Sequence, residues 1–136
     1  MSPPRTTAQL KDTSPASPLL KPSRTCRNTW VTYTKRTLLG DIAYKWTHFV
    51  DWCHSGGKVV AIKERYDYAP SISAFYYVEG LVQNSNSGVG TSTASSMFQR
   101  RIDNCIAKYG CVASHTPWSK ITLKGNGTYT YRGSAG

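Results

Sequence analysis

The sequence predicts an all-β chain, an antiparallel β-sandwich of about seven strands with an extended N-terminal arm. Three observations carry this. Between Ile42 and Cys53 apolar and polar residues alternate with a period of two. Glycine-bearing turns, His54-Ser55-Gly56-Gly57-Lys58 and Gly125-Asn126-Gly127, separate runs of strand-forming residues. With 12% aromatic, 39% hydrophobic and only 18% charged residues, the composition is that of a β-rich protein with polar loops and excludes a coiled coil. The length of 136 residues suits one domain with its own core.

The elements follow in order. Residues 1–28 hold five of the seven prolines, eight Ser or Thr and no aromatic residue, so they read as an extended arm rather than core material. The arm is basic, with Arg5, Lys11, Lys21, Arg24 and Arg27 against Asp12. Leu10 and Leu19-Leu20 are isolated, so no apolar run of the kind a secretory signal requires follows its basic start. Residues 29–136 form the domain. A first strand is expected near Trp30 to Arg36. From Ile42 the even positions Ile42, Tyr44, Trp46, His48, Val50 and Trp52 share one face, where His48 reads as a satisfied core histidine. In the next strand Val60, Ile62, Tyr66 and Tyr68 are assigned to one side and Val59, Lys63, Arg65 and Asp67 to the other, with Pro70 as its stop. The run Val59-Val60-Ala61-Ile62 is far too short for a membrane span. Phe75 to Val82 reads as a further strand. Asn84 to Ser96 reads as a flexible loop, within which Gly88-Val89-Gly90 lacks the Lys-Ser or Lys-Thr and the helix of a phosphate loop. Met97 to Ile106 suits a strand or a short helix, with strand favoured, and Trp118 to Lys124 and Thr128 to Arg132 read as the closing hairpin. Asn126-Gly127-Thr128 matches an N-glycosylation sequon and is read as turn chemistry.

Cys26, Cys53, Cys105 and Cys111 lack the C-x-x-C spacing of zinc or redox sites, and disulfides are the expected use. Three connectivities are open. A hairpin turning at Leu39-Gly40 would set Cys26 nearly opposite Cys53 and leave Cys105 and Cys111 to close a small loop. Disulfides imply an oxidising compartment, so the chain is expected to be secreted, as a mature form whose leader has been removed.

No catalytic pattern emerges. His48, His54 and His115 stand in no known spacing with Asp41, Asp51, Asp67, Asp103, Glu64 or Glu79, and neither a metal nor a cofactor is expected. The formal net charge of +10 draws the protein to anionic polymers such as nucleic acid, teichoic acid or acidic headgroups. Arg100, Arg101, Lys120, Lys124 and Arg132 would form a basic stripe if their strands are adjacent. Trp46, Trp52, Tyr76, Tyr77 and Trp118 are numerous enough for carbohydrate binding, but most are expected to fill the core.

Trp52-Cys53 with Gly56-Gly57-Lys58-Val59, then Cys105 with Tyr109-Gly110-Cys111, Pro117-Trp118 and the closing Gly125-Asn126-Gly127-Thr128 resembles a group of small secreted proteins of filamentous actinobacteria. The resemblance spans roughly residues 30–131 and implies a secreted, disulfide-bonded β-sandwich without catalytic residues. An arm on a β-domain is also similar to the adaptor subunit of streptomycete umbrella toxin particles, whose extended segment docks on a protein partner. The expected function is therefore a secreted, non-catalytic binding or assembly module. Leu10, Leu19 and Leu20 would anchor its arm on a protein partner, with Arg5, Lys11, Lys21 and Arg24 as polar contacts. The alternative is a small cationic toxin or hydrolase acting on an anionic polymer such as RNA.

Overall fold

The computed structural model describes residues 23–136, so Arg5, Leu10, Lys11, Leu19, Leu20 and Lys21 lie outside the described residues. Eight strands form two antiparallel sheets. Strands β1 (Thr25–Arg36), β2 (Ile42–Ser55) and β3 (Lys58–Ile72) make a three-stranded sheet in that order. Strands β4 (Tyr76–Ser87), β5 (Thr93–Ile106), β7 (Trp118–Lys124) and β8 (Tyr129–Ser134) make the second sheet, and β6 (Gly110–His115) pairs with the far end of β5. This is the expected sandwich, with β6 as an additional strand. The first strand begins at Thr25, so residues 25–28, assigned to the arm from composition, belong to the domain.

Hairpin pairing sets the register. Turning at residues 38–40, β1 and β2 place Cys26 opposite Cys53, and β5 and β6 place Cys105 opposite Cys111. Both pairs are disulfides, closing 27 and 6 residues of sequence separation. Such bonds persist in an oxidising compartment. Among the described residues no helix is long and apolar enough to cross a membrane.

The expected loop from Asn84 to Ser96 is mostly strand. Ser85, Asn86 and Ser87 pair with Met97, Ser96 and Ser95, leaving a connection at residues 88–92. Polar residues here satisfy their backbone through the ladder, while Gly88 and Gly90 take φ values of +86° and +96° in the turn. Pro70 does not stop β3, which runs on to Ile72; β3 is an edge strand, where a missing N–H is tolerated.

The even positions of β2 do face the second sheet, with Tyr44, Trp46, His48, Val50 and Trp52 all buried. Register irregularities beside Trp52 and His54 change the parity of β3, so that Ile62, Arg65 and Asp67 lie opposite Trp52, Val50 and His48 and share their inward face. Val59 is also buried, and Val60 is exposed. The predicted faces of β3 are thus exchanged at Val59, Val60, Arg65, Tyr66 and Asp67, while Ile62 packs inward as expected, and Tyr66 stacks on the outer-face residue Phe49 at 4.7 Å.

Two apolar clusters fill the space between the sheets. One gathers Val50, Trp52, Val59, Ala94, Ile121 and Leu123; the other gathers Ala43, Tyr44, Trp46, Phe98 and Ile102. Between them, at His48 of β2, Ser96 of β5 and Ser119 of β7, the core is polar.

Candidate functional site

The polar belt holds the most chemistry-bearing groups, and each is committed to a neighbour. His48 Nδ1 lies 2.9 Å from Ser119 Oγ and Nε2 lies 2.8 Å from Ser96 Oγ. Arg65 Nε donates to Ser96 Oγ at 2.8 Å, and Tyr33 OH meets Ser119 Oγ at 3.0 Å. With Arg65 donating to its oxygen, Ser96 has its proton available for His48 Nε2, and a proton on Nδ1 is then donated to Ser119, an arrangement that satisfies every member of the network. That ordering is the one a neutral imidazole makes. Burial, with the nearby Arg65 guanidinium, lowers the His48 pKa to about 3. Burial raises that of Tyr33.

Asp67 and Arg100 form the second half of the belt. Arg100 donates through Nε and Nη2 to the two Asp67 oxygens at 2.8 and 2.6 Å, and Trp46 Nε1 donates to the same carboxylate at 2.8 Å. The bidentate pairing holds Arg100 more strongly protonated than usual, mainly through this hydrogen bonding. Arg65 ties the sheets together as well, donating to the Ser85 and Met97 carbonyls and lying 4.2 Å over the Phe98 ring.

The three histidines do not converge. His54 ends β2 against Gly127 and Trp52, whereas His115 ends β6 beside Tyr44 and Tyr76. Tyr44 and His54 are ten positions apart on β2, roughly 33 Å at the rise of a strand. Asp103, Cys105 and Cys111 bring potential metal-ligand atoms within 4.8 Å of one another. The two sulfurs are bonded to each other, and Asp103 accepts from Ser114 at 2.6 Å and from Arg101, so the cluster lacks free thiolates. The Ser114 hydrogen bond, aided by Arg101, lowers the Asp103 pKa.

The basic residues separate into two sets. Arg100 faces inward and is consumed by Asp67, which removes it from the predicted surface stripe; a buried carboxylate requires such a partner. Arg101, Lys120, Lys124 and Arg132 lie on the outer face of the second sheet. The reason is local: Ala94, Ser96 and Phe98 of β5 and Ser119, Ile121 and Leu123 of β7 are buried, so the alternate positions point outward. Across that face the strands align Met97, Lys120 and Arg132 in one row, and Ser95, Thr122 and Thr130 in the next. Gln99, Trp118 and Ser134 form the row on one side, and Thr93 with Lys124 the row on the other. Arg101 is paired with Asp103 at 3.0 Å. Among the described residues Lys120, Lys124 and Arg132 have no carboxylate partner.

Near Lys124 the face ends in a shallow depression of about 310 Å³ lined by Gly57, Ser92, Thr93, Lys124, Gly125 and Asn126. Three turns meet there. Gly125 N–H donates to Ser92 O at 2.8 Å, and Val59 N–H and Gly90 N–H exchange bonds with Thr91 and Val59 carbonyls. Asn126 Oδ1 accepts from Thr128 N–H at 3.0 Å and from Thr128 Oγ1 at 2.7 Å, the turn role expected of the sequon. Arg24, assigned to the arm's contacts, donates to Cys53 Sγ at 3.3 Å. The outward alternation of β7 was readable in the sequence; the inward turn of Arg100 had no local signal.

No family model and no curated protein matches the chain. Among solved structures it is similar to a hypothetical protein from Listeria monocytogenes EGD-e, at 14% identity and a TM-score of 0.43, over 82% of this chain and 78% of that one.

Proposed function

We propose that the protein is a secreted, non-catalytic binding or assembly module whose domain engages an anionic polymer or surface through the outer face of β5, β7 and β8. The observation that carries this reading is the row in which Lys120 and Arg132 stand side by side without a carboxylate partner among the described residues. Adjacent like charges repel, and a polyanion relieves that repulsion by bridging them. The binding role is favoured over the hydrolase alternative by the enclosure of His48 as neutral imidazole and by the separation of the three histidines. The test is retention of the folded chain on an immobilised polyanion. Salt should release the wild type, and Lys120→Glu with Arg132→Glu should abolish retention while leaving the melting temperature unchanged; retention equal to wild type would overturn the assignment of this face.

The adaptor reading concerns the arm. Its support is the firm root of that segment, where Cys26 is bonded to Cys53 and Ser55 Oγ donates to Ser23 O. A segment leaving a rigid point loses less entropy when it docks. Capture of one stoichiometric protein partner by the full chain, lost on deletion of residues 1–22, is the expected outcome. Equal recovery by both forms would overturn the adaptor reading.

A further inference from the structure

The basic face has three features that together narrow its ligand, and this step rests on the reading of that face given above. First, its free cations are arranged along β7, with Lys120 and Arg132 in one row and Lys124 four residues on, about 13 Å away at the rise of a strand. Second, the row between them is made of hydroxyls, Ser95, Thr122 and Thr130, and Ser87 Oγ meets Ser95 Oγ at 3.2 Å to extend it onto β4. Third, the one aromatic ring in the β5, β7 and β8 rows is Trp118, half-buried at the opposite end from Lys124.

Each feature selects. An ammonium beside a guanidinium fits phosphate, which the planar fork of Arg132 can engage with two donors while Lys120 supplies a point charge. A single-stranded nucleic acid needs successive aromatic platforms for its bases, and this face offers a run of hydroxyls in their place. Duplex nucleic acid is curved and recognised through grooves, whereas these rows lie on an open sheet surface without an inserted helix or ribbon. Hydroxyls between cations suit a chain that alternates phosphodiesters with hydroxylated carbons.

We propose that the outer face of β5, β7 and β8 binds a linear polyol-phosphate polymer running along β7, with phosphodiesters on Lys120 with Arg132 and on Lys124, and polyol hydroxyls on the Ser95, Thr122 and Thr130 row. The depression beyond Lys124 receives the next unit of the chain. No covalent step is involved.

The experiment is titration calorimetry of the full chain with poly(glycerol phosphate), dextran sulfate and oligo-deoxythymidine at matched charge, repeated across salt concentrations. Poly(glycerol phosphate) is expected to bind at least tenfold more tightly than either competitor. Lys120→Glu with Arg132→Glu should weaken it more than tenfold and flatten its salt dependence, as loss of phosphate contacts does. Thr122→Val should weaken poly(glycerol phosphate) severalfold and leave dextran sulfate unchanged; Lys108→Glu, in the turn between β5 and β6, should change neither. Dextran sulfate or oligo-deoxythymidine binding as tightly through the same face would overturn the polyol-phosphate assignment while leaving the anion-binding face intact. Binding insensitive to Lys120→Glu with Arg132→Glu in a chain of unchanged melting temperature would overturn both.

Discussion

At the scale of single residues, the interior of this sandwich is organised by polar side chains that meet their partners across the two sheets. His48 is neutral between two serines, so the unfolded chain takes up a proton near pH 6.5 that the folded chain resists until about pH 3. The unfolded state then binds more protons throughout that window, and stability falls as pH drops from about 6.5 toward 3, by about 1.4 kcal/mol per pH unit. His115, whose pKa is also lowered chiefly by burial, adds to the same trend. Denaturant melts between pH 4 and 7 should show this slope, and His48→Gln should reduce it; a slope unchanged in that variant would contradict the assignment. Asp67 is a buried carboxylate that Arg100 grips with two hydrogen bonds and Trp46 with a third. Arg100→Ala should cost about 3 kcal/mol or more, because it leaves that charge uncompensated. Adding Asp67→Asn should recover part of the loss in a double-mutant cycle. The presence of His48 on the apolar face was legible from alternation. The Arg100 pairing was not, since Asp67 lies 33 positions away and on another sheet.

At the scale of elements, the hairpins carry their own instructions. Cys26 and Cys53 are equidistant from the turn that joins their strands, which is why their pairing was readable, and the same holds for Cys105 and Cys111. Replacing Cys26 and Cys53 by serine should lower stability by about 3–4 kcal/mol, and replacing Cys105 and Cys111 by about 2, since the closed loops differ in length. Thermal melts that ranked the two pairs the other way would count against the chain-entropy account. The junction of turns is equally demanding: a Cβ on Gly125 would lie far inside van der Waals contact of the Gly57 carbonyl oxygen. Gly125→Ala should therefore destabilise by a few kcal/mol, whereas Gly80→Ala, with open space around it, should fall within about 1 kcal/mol of wild type. Low hydrophobicity made residues 84–96 look like a loop because pattern reading weighs side chains. The backbone there is satisfied by cross-strand pairing with β5, and Arg65 of β3 reaches over to donate to Asn84 Oδ1 and to the Ser85 carbonyl.

At the scale of the whole molecule, two sheets of unequal width divide the labour. Their inner faces hold two apolar clusters around the polar belt, and the wider sheet leaves its outer face free to present cations. A sequence with strand alternation determines by itself that there will be strands, where the glycine turns of its clearest hairpins fall, which cysteine pairing those hairpins favour and that β7 points Lys120 and Lys124 to one side. These are local consequences of a two-residue period and of glycine turns. It does not determine which side of β3 becomes interior. Small register shifts beside Trp52 and His54 change the parity within that strand, so that Val59, Arg65 and Asp67 turn inward together with Ile62, and those shifts form only when β2 and β3 are paired. Nor does sequence decide which arginine of the Arg100-Arg101 pair remains at the surface. That was settled by tertiary packing, because a charge enters the interior only where another sheet element brings an opposite charge and hydrogen-bond partners to meet it.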